Sequence, residues 1–170
     1  MGIAVSDGIF VDGFGRTTAP DVFAAGDVTR QLNVFSGRFE RIETWSNASG
    51  QATTLAKNLV LSHPIHQYRA VPWFWSDQGE ARTQVAGDVS GSEEIQRGDF
   101  AAGKGVSVHL SNGTIVGVAA LNNAKDFNLF KRLIAAKAKL PLEQLADPHL
   151  DLKRAVQEAE KSNQISETSK

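Results

Sequence analysis

The chain has 170 residues, enough for one ordinary domain or for a small domain plus part of another. With 41% hydrophobic residues, 22% charged residues and a formal net charge of -1, it is neither a strongly basic nucleic-acid binder nor disordered over most of its length. It contains no cysteine, which excludes disulfides, thiolate zinc sites, cysteine nucleophiles and a redox-active cysteine pair within this segment, so redox chemistry here belongs to a borrowed cofactor.

The opening residues lack a basic start followed by an apolar core, and no apolar run approaches the roughly 20 residues of a membrane-spanning helix. The expectation is a cytoplasmic protein with no membrane and no nucleic-acid partner. Residues 2–16 mix Ile9, Phe10 and Val11 with glycines and aspartates, and read as a short strand pair turning near Ser6, Asp7 and Gly8. The small and apolar residues of 21–28 predict a strand buried on both faces, as in a parallel sheet. Across 46–61, Ala48, Ala52, Leu55, Ala56 and Leu59 recur at helical spacing, with Ser46 or Asn47 as the N-cap.

A proline-containing connection over 62–72 separates two styles of sequence. It sets the expected boundaries: 1–66 as the last part of one α/β domain, 67–160 as a second domain and 161–170 as a polar tail. Beyond Pro72, residues 73–75 and 83–87 read as strands. In 105–121, Val106, Val108 and Leu110 alternate with Ser107, His109 and Ser111, and Asn112 and Gly113 then supply a tight hairpin turn. Residues 126–140 read as a helix with Phe127, Phe130, Leu133, Ile134 and Ala138 buried. Pro141 and the 151–160 stretch suggest one or two short closing helices, and 162–170 read as a frayed tail. The expected fold class is the end of a parallel α/β unit, Rossmann-like, followed by an α+β unit with an antiparallel sheet and helices.

A buried strand ending in Gly26 and Asp27 sets a carboxylate at the carboxyl end of a sheet, where open α/β folds bind ligands. The glycine permits close backbone approach, and the carboxylate can accept hydrogen bonds from a sugar-alcohol chain. Alone, the pair is a weak signal and reads rather as a turn aspartate capping a loop.

Residues 17–27, TTAPDVFAAGD, resemble the second FAD motif of the pyridine-nucleotide flavoprotein reductases: threonine, four residues, an aromatic, alanine, any residue, then Gly-Asp. The segment RIETWSNA at 41–48, followed by Gln51, is similar to the corresponding stretch in the ferredoxin reductases of oxygenase systems. Residues 72–78, PWFWSDQ, resemble the start of the carboxyl-terminal domain of those reductases. The resemblance implies an FAD-dependent, NADH-oxidising reductase that passes electrons to a [2Fe–2S] ferredoxin. It places Asp27, with Val28, at the ribityl chain, Glu43, Thr44, Trp45 and Ala48 at the flavin ring and the helix facing it, and Trp75 over the ring. No residue is implied as acid, base or nucleophile. The alternative for Trp45 is a surface tryptophan beside an ordinary N-cap, and without the resemblance Trp73 and Trp75 read as domain-interface core.

Other signals are weaker. His63 and His66 have a proline between them and no carboxylate or third histidine nearby, so a metal site is not expected. His109 reads as a surface residue. Lys125, Lys131, Arg132, Lys137 and Lys139 read as a solvated basic face, with docking of an acidic ferredoxin as the alternative. Gly13 and Gly15 lack the third glycine of a dinucleotide fingerprint. Neither the glycine-rich turn for the adenine end of FAD nor an NAD fingerprint occurs. The expectation is therefore a partial FAD site that needs an amino-terminal FAD/NAD half, no activity by itself, and a tendency to self-associate. Two alternatives stay open: a non-catalytic dimerisation or partner-binding module derived from such a reductase, and rubredoxin as the acceptor.

Overall fold

The computed structural model describes residues 2–61, 66–147 and 149–168, with side chains described through residue 163. The chain divides into two compact units, Met1–Pro72 and Trp73–Lys170.

In the first unit a three-stranded sheet runs in the order β1 (Ile9–Val11), β2 (Thr29–Asn33), β3 (Arg38–Arg41). β1 pairs parallel to β2 with Ile9 opposite Thr29, and β2 pairs antiparallel to β3. The expected turn forms at Ser6 to Gly8, where Asp7 has φ 48° and Gly8 φ 115°. A β-carbon at Gly8 would meet Arg41 Cδ at 2.9 Å, so both backbone angle and space favour glycine there. The segment before β1 contributes only a single bridge, Val5 to Ile9.

Residues 21–28 do not form the buried strand that their composition predicts. Phe23 makes one bridge to Arg16, and Ala24 N–H reaches back to the Gly15 carbonyl. Val22 and Phe23 stay about two-fifths exposed, at 39% and 40%. An extended run becomes a sheet strand only with a ladder beside it, and the backbone bonds of these residues go to the 15–17 loop, to Ile9 and to the Gln51 side chain without building one. The parallel strand lies one step later, at β2, whose polar sequence TRQLN gives no apolar signal.

The helix of this unit, α1 (Trp45–Leu59), is capped by Thr44, whose hydroxyl accepts the Asn47 N–H at 3.2 Å. The N-cap thus lies ahead of the expected Ser46 or Asn47. The apolar spacing does not mark its hidden face. Asn47, Gln51 and Asn58 are buried, whereas Ala52, Ala56 and Leu59 are exposed. Opposite Asn47, Gln51 and Asn58 lie polar atoms of β2 and backbone carbonyls, so the amides turn inward to pair with them.

The second unit is built on a five-stranded antiparallel sheet in the order β4-β5-β8-β7-β6. The strands are β4 (Trp73–Gln78), β5 (Ala81–Gly87), β6 (Glu93–Asp99), β7 (Lys104–Ser111) and β8 (Thr114–Leu121). The β7–β8 hairpin turns at Asn112 and Gly113, with φ 51° and 71°, the two positive angles a two-residue turn of this hand requires. β6 was not legible in sequence, since only Ile95 in it is strongly apolar.

The helix α2 (Ala124–Ala135) packs Phe127, Phe130, Leu133 and Ile134 against Val106, Val108, Val118 and Ala120, and all eight are essentially buried. The expected stripe is therefore the core. α3 (Leu142–Ala146) buries Leu145, and α4 (Leu152–Thr168) buries Leu152, Ala155 and Val156. α4 winds on through residues expected as frayed tail, because 153–168 contain no glycine or proline and are rich in helix formers. Among the described residues no helix is long and apolar enough to cross a membrane.

Candidate functional site

The first unit is organised around a chain of buried amides. The Gly26 N–H donates to Gln51 Oε1 at 2.6 Å. The Thr29 hydroxyl lies 2.8 Å from the Gly26 carbonyl and 3.1 Å from Gln51 Oε1. Gln51 Nε2 donates to Gln31 Oε1 at 3.1 Å, Gln31 Nε2 donates to Asn47 Oδ1 at 2.7 Å, and Asn47 Nδ2 donates to the Ile42 carbonyl at 3.0 Å. Thr29, Gln31, Asn47 and Gln51 are each at most 7% exposed. Thr29 and Gln31 meet this chain because an i, i+2 pair shares one face of a strand, while Asn47 and Gln51 are one helical turn apart.

This chain ties three pieces together: the turn after the 21–26 run, β2, and the first two turns of α1. Gly26 has φ 84°, a left-handed angle that favours glycine, and a β-carbon there would sit 3.6 Å from Ala48 Cβ. Asp27 and Val28 follow in the turn with exposed side chains. Ala48, half-buried, thus lies against the base of the turn that carries Asp27. Thr44 caps the helix, Glu43 precedes it with an ion pair to Arg41, and Trp45 begins it at 70% exposure. The first turn of α1 contains no acidic residue, so the partial positive charge of its amino-terminal end is not neutralised from within.

The structure therefore brings Gly26, Asp27, Thr44 and Ala48 together in one unit. A carboxylate, a backbone turn with glycine at its base and the positive end of a helix suit a polyol chain beside a group that gains negative charge. The residues present fit the ribityl and ring portions of FAD. Thr29 and Gln31 were not singled out from sequence, and the polar alternation of β2 is the signal that marks them; Asn47 was read only as an N-cap.

Trp75 lies in the second unit, on edge strand β4, at 38% exposure. It shares a strand face with Trp73, the ring centroids being 5.5 Å apart at 32°. Trp73 in turn packs on Phe127 at 5.9 Å, and Lys131 Nζ sits 4.5 Å from the Trp73 ring centroid. Lys131 is half-buried while Lys125, Arg132, Lys137 and Lys139 are exposed, so the solvated basic face excludes this one member. Burial holds the Lys131 amine below the usual lysine range.

His109 joins Ser107 at 3.0 Å, and the Ser107 hydroxyl donates to Glu94 at 2.7 Å. The Ser107 and Gln96 bonds hold the Glu94 carboxyl below its ordinary value. No group of three histidine, cysteine or carboxylate side chains suited to a metal occurs among the described residues. His63 lies outside them.

Residues 73–156 match the family model described as reductase C-terminal, and residues 1–52 match the pyridine nucleotide-disulphide oxidoreductase model. The ferredoxin–NAD(+) reductase component of the p-cumate 2,3-dioxygenase system of Pseudomonas putida is 37% identical over 155 residues, covering 90% of this chain and 37% of that protein. The corresponding component of the anthranilate 1,2-dioxygenase system of Burkholderia cepacia is 40% identical over 154 residues, covering 89% of this chain and 37% of that one. In the crystal structure of the covalent putidaredoxin reductase–putidaredoxin complex, a chain 30% identical superposes with a TM-score of 0.83, covering 94% of this chain and 38% of the other. The chain thus spans a little over a third of the length of the curated relatives it matches.

Proposed function

Since the chain belongs to the pyridine nucleotide-disulphide oxidoreductase family and carries a reductase C-terminal domain, we propose that it forms one face of the FAD site of an NAD(P)H-dependent ferredoxin reductase. The observation that carries this reading is the bond from the half-buried Gly26 N–H to the buried Gln51 side chain, which anchors the Asp27 turn to α1. In this reading the Asp27 carboxylate accepts hydrogen bonds from the ribityl hydroxyls, with Val28 beside it. The segment Glu43 to Trp45 approaches the ring, and Thr44 fixes where α1 begins. Ala48 keeps the helix close to the turn because its side chain is only a methyl. The amino-terminal end of α1 favours negative charge in front of it. Trp75 shields the ring. FAD, when bound, supplies the conversion of hydride transfer from NAD(P)H into single-electron delivery.

The names of the relatives support a ferredoxin as acceptor, and the [2Fe–2S] type is part of this proposal. So is the need for further polypeptide. Among the described residues, the first unit buries only two large apolar side chains, Val11 and Val71, while eleven of the sixteen exposed large hydrophobics lie in it. Such a surface supports packing on an FAD/NAD portion, and self-association where that portion is lacking. The self-contained core of the second unit is what favours the other reading, a partner-binding module without redox activity.

Joining the FAD/NAD portion of the Burkholderia relative ahead of this chain separates the two. The hybrid is expected to purify yellow and to reduce a [2Fe–2S] ferredoxin with NADH, whereas the chain alone takes up FAD far below stoichiometry. A hybrid without flavin, or a near-stoichiometric flavin spectrum in the chain alone, refutes the proposal.

A further inference from the structure

Two sequence periods converge on one spot in the second unit. Trp73 and Trp75 are i, i+2 on β4 and share a face of the strand; Phe127 and Lys131 are i, i+4 on α2 and share a face of the helix. Phe127 is fully buried and meets Trp73 at 5.9 Å with an interplanar angle of 53°. One turn further, the Lys131 ammonium stands 4.5 Å from the Trp73 centroid and 5.6 Å from that of Phe127. Trp75 then leans on Trp73 at 5.5 Å. β4 is an edge strand, so Trp75 has a ladder partner on one side only, Gln84 of β5.

We propose that Lys131 is a positioning residue: seated over Trp73, its ammonium holds that ring in the orientation on which Trp75 stacks, and so sets the plane Trp75 presents at the sheet edge. Phe127 meets the Trp73 ring at a tilt and contributes its own geometric preference, and the Lys131 cation adds an attraction directed at the ring face. An exposed lysine would keep its ammonium in water. This one gives up part of its hydration, as its half-burial shows, and an ammonium does that where a compensating contact exists. The chain of contact runs Lys131, Trp73, Trp75, and Trp75 is the more exposed of the two tryptophans. The ring geometry belongs to this unit alone. Its consequence for a reductase, a fixed aromatic plane beside the electron route, rests on the flavin reading above.

The test uses the full chain without flavin, so its failure is distinct from failure of that reading. Close, angled tryptophans give an exciton couplet in circular dichroism, and Trp75→Phe identifies it by removing it. Lys131→Met, which keeps length and apolar contact but loses the charge, is expected to lower the couplet to about half or less, and Lys131→Arg to restore it, because guanidinium also stacks on aromatic faces. Thermal unfolding distinguishes simple destabilisation: the couplet falls in Lys131→Met well below its melting range. A couplet unchanged in Lys131→Met, a loss not restored in Lys131→Arg, or a couplet that survives Trp75→Phe overturns the proposal.

Discussion

Gly26 and Gln51, 25 residues apart in sequence, are joined by a 2.6 Å bond from a backbone N–H to a buried side-chain oxygen. Replacing Gln51 by leucine strips partners from the Gly26 N–H and from Gln31 Oε1 at once. Leaving two buried polar groups unpaired costs about 2–4 kcal/mol. The expected result in urea unfolding is a loss of that size, with faster hydrogen exchange at the Gly26 amide as its local signature.

Gly26→Ala tests the backbone rather than the space. The added methyl would meet Ala48 Cβ at 3.6 Å, an ordinary contact, but the φ of 84° is one that L side chains rarely adopt. The expected cost is about 1–2 kcal/mol. Asn at the same position, which tolerates left-handed angles better, is expected to lose less in the same unfolding measurement.

Asp27 is exposed and makes no part of the amide chain. Asp27→Ala is therefore expected to leave stability of the free chain within about 0.5 kcal/mol. In the FAD-loaded hybrid the same change is expected to weaken flavin retention by about tenfold or more, the worth of a hydrogen bond to a charged group. Equilibrium dialysis of the two hybrids gives the comparison.

The two units differ in what holds them. The second encloses Leu110, Ile115, Phe127, Phe130, Leu133 and Ile134 between sheet and helices, each at most 2% exposed. It is expected to fold when made alone from Trp73 onward, and Phe130→Ala in it to cost about 3–5 kcal/mol. The first unit hides chiefly amides and hydroxyls, and is expected not to give a cooperative thermal transition when made alone, since paired polar groups contribute little net stability.

Asp12 offers a pH test. Burial pushes its carboxyl up, but the Arg16 N–H, the Arg16 guanidinium and the Phe14 N–H outweigh that and hold it below the ordinary value of 3.8. A depressed carboxyl contributes stability that is present above that ordinary value and is lost as pH falls through the lower one of the folded chain. Melting temperature followed downward from pH 5 is expected to fall more steeply in the wild-type chain than in Asp12→Asn, which has no charge to lose.

How much of this was legible in the sequence follows from how each signal arises. The β7–β8 hairpin and the stripe of α2 were readable because period and turn chemistry act locally: Val106, Val108 and Leu110 alternate, and Asn112 and Gly113 suit positive φ. β6 and the β2–β3 pair were not, because strands such as TRQLN are specified by partners rather than by their own apolar content. The same cause hides which face of α1 is buried. Ala48, Ala52, Ala56 and Leu59 have a helical period, yet burial follows what lies opposite, and opposite α1 lie Gln31 and Thr29. The motif residues Gly26 and Asp27 were found through resemblance, while the amides that hold them emerged only once the strand and helix were set side by side.

The polar β6 has one more effect. Within its own unit it is an edge, and along Glu93–Asp99 it carries Glu93, Glu94, Arg97 and Asp99 with only Ile95 as a large aliphatic residue. A strand of another molecule pairing there would set its side chains beside charges that lose water, with little apolar area in return. The sheet therefore ends at β6. Hydrogen exchange along β6 in concentrated samples of the second unit is expected to be as fast as in dilute ones, since no foreign strand pairs there.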